Sequence, residues 1–364
     1  MSEIRHVNTV VIGGGQTGLI VGYELQQRGV DFVILDASER VGDAWRKRWD
    51  SLVLFTPARF NGLPGMSYPA PAETYITKDD IADFLETYAT ANNLPVRSGV
   101  WVDRVGHDGH SFTIDTSSGR MGADNVIVAM ADYQIPKVPS FGSSLRSDIV
   151  QIHSGHYRNP SQLREGPTLI VGVGNSGADI GLEVARSRET YISGEVAAVV
   201  PFRIEGWFGR KIGVKLVRFV MVKVLNTSTP IGRRARPKML TETAPLVRVK
   251  PKDLTDAGAT RVSRIAGVRD GLPETQDGKT LKVANVIWCT GFSPGFSWID
   301  LPVFDDQGSP RHTRGVVPEQ PGLYFCGLYF LHALWSETIT GVPTDARYVV
   351  NHLMNSEVHT QAVG

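Results

Sequence analysis

Residues 7–12, VNTVVI, form a short β-branched apolar run that stops at Gly13, Gly14 and Gly15. The period then changes. In LIVGYELQQRG, Leu19, Tyr23 and Leu25 recur at helical spacing and Gly29 ends the run. A second apolar run, DFVILD, closes on Asp36. The pattern predicts strand, glycine turn, helix, strand, acid. It returns in mid-chain in PTLIVGVGNSGADIGLEVARSRETYISG, with Gly172, Gly174 and Gly177 at the turn and Ala178, Leu182 and Ala185 at helical spacing. Two more apolar runs, DNVIVAM and VANVIWCTG, lead into segments punctuated by proline or glycine at 129–139 and 283–296, which read as crossings between two units.

At 364 residues the chain suits two domains, and 41% hydrophobic with 21% charged residues makes it globular rather than disordered. No apolar run reaches a membrane-spanning length, and no basic leader precedes the glycine-interrupted N-terminal run, so a cytoplasmic protein is expected. Cys289 and Cys326 form no C-x-x-C and have no metal-type spacing; neither disulfide chemistry nor a metal is expected. Net charge is +1, which excludes a global bias toward nucleic acid. The charge is uneven, however. From Arg203 to Lys238 ten Lys or Arg face one acid, Glu205, a surplus of nine, so the rest of the chain is about −8.

The chemistry sits in the glycine turns. In Gly13-x-Gly15-x-x-Gly18 the glycines let backbone approach a pyrophosphate, and the following helix directs free N–H groups at it. Asp36, 23 positions after Gly13, would accept from a ribose and repel a 2′-phosphate, which implies FAD or NAD rather than NADP. One such unit binds one dinucleotide, so two units imply two cofactors.

The segment RVGDAWRKRWDSLVLFTPARFNGLP sets Gly42 and Trp45 in a G-x-x-W arrangement ahead of a Thr56–Pro57 turn. Here the chain resembles the class B flavoprotein monooxygenases, which include flavin-containing monooxygenases, YUCCA-type enzymes and small bacterial FAD-dependent relatives. The resemblance covers nearly the whole chain. It implies an α/β fold with two Rossmann-like dinucleotide-binding domains, the nicotinamide domain inserted in a discontinuous FAD domain. FAD would take residues 1–140 plus 287–364. The inserted NAD(P)H-binding domain would take 141–286, with a basic helical segment at about 203–245. Cofactor contacts are implied at Gly13, Gly15, Gln16, Thr17, Gly18, Asp36, Gly42, Asp43, Ala44, Trp45, Thr56, Val102, Ala129, Gly291 and Asp345, and at Gly172, Gly174, Asn175, Ser176, Gly177 and Glu195. Arg59, Asn61 and Trp335 are candidates for contact with flavin or substrate, each with an alternative structural reading.

Glu195 stands 23 residues after Gly172, where NADPH-dependent members usually carry a base. A carboxylate there favours NADH over NADPH. Arg186, Arg188, Arg203 or Arg210 could restore NADPH binding, and Glu195 also reads as a solvated turn residue. His153 and Tyr157 match the H-x-x-x-Y end of the family fingerprint, with a structural role at the linker. Two departures stand out. Ala129-Met130-Ala131 replaces A-T-G at the first crossing, which would cost about 1 kcal/mol if Ala131 were left-handed. Pro343 and Thr344 replace Gly and Arg in the last segment, where Pro still suits a helix start.

The resemblance implies that NAD(P)H reduces FAD, which activates O2 as a C4a-(hydro)peroxyflavin and oxygenates a small organic substrate. The alternatives are an NAD(P)H-dependent flavin reductase or diaphorase, and a catalytically weakened nucleotide-binding protein. No nucleic-acid partner is expected, and a homodimer stays open. In KIGVKLVRFVMVKVL, Lys211, Lys215 and Arg218 share one helical face with aliphatics around the rest. A solvated surface helix is the leading reading, ahead of an anion-drawing lid, and membrane contact is not expected.

Overall fold

Alternation within the first strand, Arg5–Ile12, sends Val10 and Val11 to opposite faces, and both are fully buried. A strand buried on both faces belongs in a parallel sheet covered on two sides. The structure, a computed structural model, describes residues 5–241 and 244–363. Its first sheet runs in the order Val96–Arg97, Phe32–Leu35, Arg5–Ile12, Gly119–Val128, Phe112–Thr116, Val102–His107. Leu323–Phe325 pairs in parallel with Val126–Val128, so the chain returns to this sheet near its C-terminus. One face packs on the helices Gln16–Gln26, Lys78–Ala91 and Val342–Val363 through Leu19, Ile81, Leu85, Tyr88 and Val349. The other face buries Val10, Val33, Ile114, Phe296 and Phe325.

The second sheet has five parallel strands in the order Val150–His153, Asn285–Trp288, Thr168–Val171, Thr190–Ser193, Thr260–Val262. The helix Asn175–Ala185 packs on it through Ala178 and Ile180. These elements follow the predicted pattern. Gly13 (φ +106°) and Gly172 (φ +103°) turn the chain from strand to helix in a region other residues rarely adopt.

The crossings pair with each other. Ile135–Pro136 runs antiparallel to Phe292–Ser293. His153 Nε2 lies 3.0 Å from the Gly291 carbonyl, which also accepts from Lys137 N–H at 3.0 Å. Ala131 is not among the described non-glycine residues with positive φ, so the strain expected there is absent. The left-handed turn falls on the second crossing instead, at Gly291 (φ +80°). The final helix, Val342–Val363, starts beside Pro343 as expected.

The basic segment departs from its expectation. Gly209–Val224 is helical, but Arg218 turns inward, its guanidinium 5.3 Å from the Phe60 ring centre, while Ile212, Leu216 and Phe219 face outward. A helix apolar on two sides gives no periodicity to say which side is buried. Among the described residues no helix is long and apolar enough to cross a membrane.

Candidate active site

The two glycine turns open on one cavity. Its volume is about 590 Å³, within the range of small-molecule and cofactor sites. The first turn contributes Gly13, Gly15, Gln16 and Thr17, and the second Asn175, Ser176 and Asp179. The glycines of the first turn do three different jobs. Gly13 makes the turn. A Cβ on Gly15 would meet nothing within 4 Å, so its backbone lies open to the cavity. A Cβ on Gly18 would lie 1.8 Å from the Gly13 carbonyl oxygen, so helix and turn touch there. Gly177 repeats that approach at 2.0 Å from the Gly172 carbonyl. Both helices begin without a side-chain cap, at Gly15 and Gly174, leaving first-turn N–H groups for a ligand. Open backbone, uncapped helix ends and a shared cavity fit two dinucleotides.

Asp36 closes the turn from the second strand. Its carboxylate accepts from Gly14 N–H and, at 2.6 Å, from Ser38 N–H, and it lines the cavity. Ala44 and Trp45 line it too, and Trp45 Nε1 donates to Gln16 Oε1 at 3.1 Å, tying the G-x-x-W segment to the first helix. Gly42 (φ +90°) and Asp43 stand behind this wall, Gly42 where a Cβ would lie 2.5 Å from the Ala82 carbonyl oxygen. Phe55, Thr56, Val102, Ala129, Met130 and Ala131 complete much of the lining. Gly172, Gly174, Gly177, Gly291 and Asp345 are outside the lining. Asp345 is buried beside the Ser336 side chain with Arg314 Nε 3.8 Å away; burial pushes its carboxyl up to about 6.

The three reactive candidates stand one layer back. Asn61 is fully buried; its side-chain amide donates to the Thr56 carbonyl at 2.9 Å and accepts from the Thr56 hydroxyl at 2.6 Å. Arg59 bonds Glu73 and the Arg210 carbonyl. Trp335 packs on Phe55 with ring centres 5.8 Å apart.

Several wall residues carry no sequence signal. Glu337 lines the cavity with Oε2 sealed from solvent and without a partner among the described residues; burial pushes its carboxyl up to about 8. Asp132 nearby is raised by burial as well, and its Oδ1 also lacks a partner among the described residues. Arg48, held below its ordinary value by burial, lines the cavity beside Tyr133. Asp179 pairs with Arg248 at 3.2 Å, yet burial still pushes it up to about 6. A lone acid in SETITG or the second arginine in RKR is no motif, so only the fold reveals these groups.

Glu195 is exposed just past the strand Thr190–Ser193 and outside the lining. Arg188, Arg203 and Arg210 are engaged elsewhere: with the Arg164 and Pro160 carbonyls, Asp253, and the Glu205 carbonyl. Arg261, absent from the sequence reading, donates to the neighbouring Gly194 carbonyl at 3.1 Å. Both cysteines are free. Burial pushes Cys289 up to about 12, which makes it a poor nucleophile.

Residues 10–193 match the pyridine nucleotide-disulphide oxidoreductase family model. A Geobacillus kaustophilus protein described as an uncharacterized CzcO-like oxidoreductase is 38% identical, over 96% of this chain and 99% of its own. The indole-3-pyruvate monooxygenase YUCCA1 of Oryza sativa is 27% identical, over 80% of this chain and 78% of its own. A flavin-containing monooxygenase from Stenotrophomonas maltophilia superposes with a TM-score of 0.77 at 27% identity, covering 97% of this chain and 99% of that one. With the paired turns and shared cavity, these likenesses place the chain in the pyridine nucleotide-disulphide oxidoreductase family, among the class B flavoprotein monooxygenases, as an FAD-dependent oxidoreductase.

Proposed function

We propose that the protein is a monooxygenase that uses NAD(P)H and O2 to oxygenate a small organic substrate. The observation that carries this reading is the convergence of two uncapped glycine-turn helices on one cavity. When bound, FAD supplies hydride acceptance from the nicotinamide and the activation of oxygen. The chain's own residues bind, orient and exclude water. The Gly13–Gly18 turn and Asp36 would hold the flavin dinucleotide by pyrophosphate and ribose. The Gly172–Gly177 turn, with Asn175 and Ser176, would hold the nicotinamide dinucleotide. Asn175 is rigid enough for this, since its side chain donates to the Pro245 carbonyl and accepts from Val247 N–H.

Asn61 and Trp335 act in this reading as positioning residues for Thr56 and Phe55, and Arg59 as an anchor of the basic segment. Glu337 keeps its proton at neutral pH and can donate it as a hydrogen bond to a ligand. Arg48 offers a cation to an anionic part of one. The division of the chain follows: a flavin unit formed by the N-terminal 140 residues and the chain after the second crossing, with the nicotinamide unit inserted. Glu195 gives NADH the advantage, against the nearby Arg261.

The test is product analysis under ¹⁸O2 with NADH, over a sulfide, a tertiary amine, a ketone and indole-3-pyruvate. One labelled oxygen per product molecule and one NADH consumed per product support the reading. Peroxide as the sole oxygen product with every substrate, alongside fast reduction of artificial acceptors, assigns a reductase instead.

A further inference from the structure

The helical run that covers the Phe55 side of the cavity also has an outward feature. Gly209–Gly213 and Val220–Val224 turn with wider, π-type spacing on either side of Val214–Phe219. Inward, Val214 and Val217 close over Phe55 and Trp335. Outward, Phe208, Ile212, Leu216 and Phe219 are 47, 47, 55 and 57% exposed, and Trp207 is 73% exposed. Positions 208, 212, 216 and 219 repeat every three to four residues and form one stripe. Lys211, Lys215 and Lys223 are exposed along the same run, and Arg233 and Arg234 on the next helix, Pro230–Thr241.

Five large apolar side chains in water on one short run gain nothing from folding, and such contiguous patches mark interaction surfaces. Charge distinguishes the partners. A second copy docked through the same patch would set the exposed Lys215, Lys223, Arg233 and Arg234 against their own equals. A nucleic acid would meet the cations but leave the stripe wet. An anionic bilayer satisfies both features: headgroups attract the cations, the stripe enters the acyl boundary, and Trp207 sits at the interface. The remainder of the chain, at about −8, is repelled from the same surface, which orients the protein with this run toward the lipid.

We propose that residues 207–224 dock the protein, lying in the plane of the surface, onto an anionic lipid bilayer. The proposal is independent of the cavity's reading, because it uses only the outward side of the run. It departs from the sequence expectation because the apolar stripe faces solvent.

The test is co-sedimentation of the purified protein with phosphatidylglycerol vesicles and, separately, phosphatidylcholine vesicles. The expected result is at least about tenfold tighter partition to phosphatidylglycerol, weakened several-fold by high salt. The double variant Leu216→Glu/Phe219→Glu should lose about tenfold or more of that partition. Its melting temperature should stay at the wild-type value, since both side chains are exposed. Lys215→Glu/Lys223→Glu should lose the preference for phosphatidylglycerol. Wild-type protein left in the supernatant with phosphatidylglycerol vesicles overturns the proposal, as does a Leu216→Glu/Phe219→Glu variant that sediments like wild type. A dimer in solution that this variant splits, without vesicle binding by wild type, reassigns the stripe to a contact between copies.

Discussion

Gly15 and Gly18 stand three residues apart, yet the structure gives an added methyl group opposite consequences at each. Gly15 has φ −73° and ψ −172°, a conformation alanine adopts freely, and its new Cβ would meet no protein atom within 4 Å. The cost to the fold is therefore limited to a poorer helix N-cap, about 1 kcal/mol. The methyl would instead stand where a pyrophosphate approaches the backbone. At Gly18 the methyl would lie 1.8 Å from the Gly13 carbonyl oxygen, well inside van der Waals contact, and that oxygen belongs to rigid backbone. Helix and turn must separate by more than an ångström, an overpacking cost on the order of 3 kcal/mol. Thermal unfolding of the apo proteins and flavin titration by fluorescence separate the two effects. Gly15→Ala should unfold within a few degrees of wild type and bind FAD at least about tenfold more weakly, which is about 1.4 kcal/mol. Gly18→Ala should unfold markedly lower before any ligand is added. Unchanged FAD affinity in Gly15→Ala, or an equal loss of apo stability in both variants, would refute the division of labour within the turn.

Three further outcomes follow from single side chains. Glu337 has its carboxyl raised from 4.5 to about 8 by burial, so the folded state holds the proton more tightly than the unfolded chain. Its stabilising contribution is full below about pH 4.5 and is lost as pH rises through about 8; apo Glu337→Gln should therefore gain melting temperature over wild type at pH 8.5 and not at pH 4.5. Asn61→Ala removes two buried hydrogen bonds to Thr56 and leaves the Thr56 hydroxyl without its acceptor, so chemical denaturation should show a loss of about 2 kcal/mol. Glu195→Arg should shift the ratio of kcat/KM for NADPH over NADH upward by about tenfold or more, as replacing a repulsive charge with an attractive one requires; an unchanged ratio retires Glu195 as a discriminator.

What the sequence revealed followed from backbone constraint. The glycine turns, their flanking strands and helices, and the acid at Asp36 were legible because left-handed glycines and the change of period from two to 3.6 leave few alternatives. Leu323–Phe325 returns to the first sheet, a pairing that no periodicity announces, and the expected discontinuity of the flavin unit rested on resemblance rather than on period. Three things were illegible for physical reasons. The wall groups Arg48, Asp179 and Glu337 come from separate segments, and no spacing rule joins them. Asn61 is a polar residue next to glycine in an ordinary turn pair, and only its burial shows that its amide is spent on Thr56. The run 208–219 is apolar on both sides, so its period fixes a helix but not its orientation.

The central claim is that two dinucleotides meet in one cavity, so that a nicotinamide held at the second turn reduces a flavin held at the first. Anaerobic mixing of the FAD-loaded protein with NADH, and separately with NADPH, tests this directly in a stopped-flow spectrometer. The account predicts rapid bleaching of the flavin's visible band, saturating with nucleotide concentration and faster with NADH. Nucleotide binding shown by calorimetry, with the flavin remaining oxidised, would contradict it.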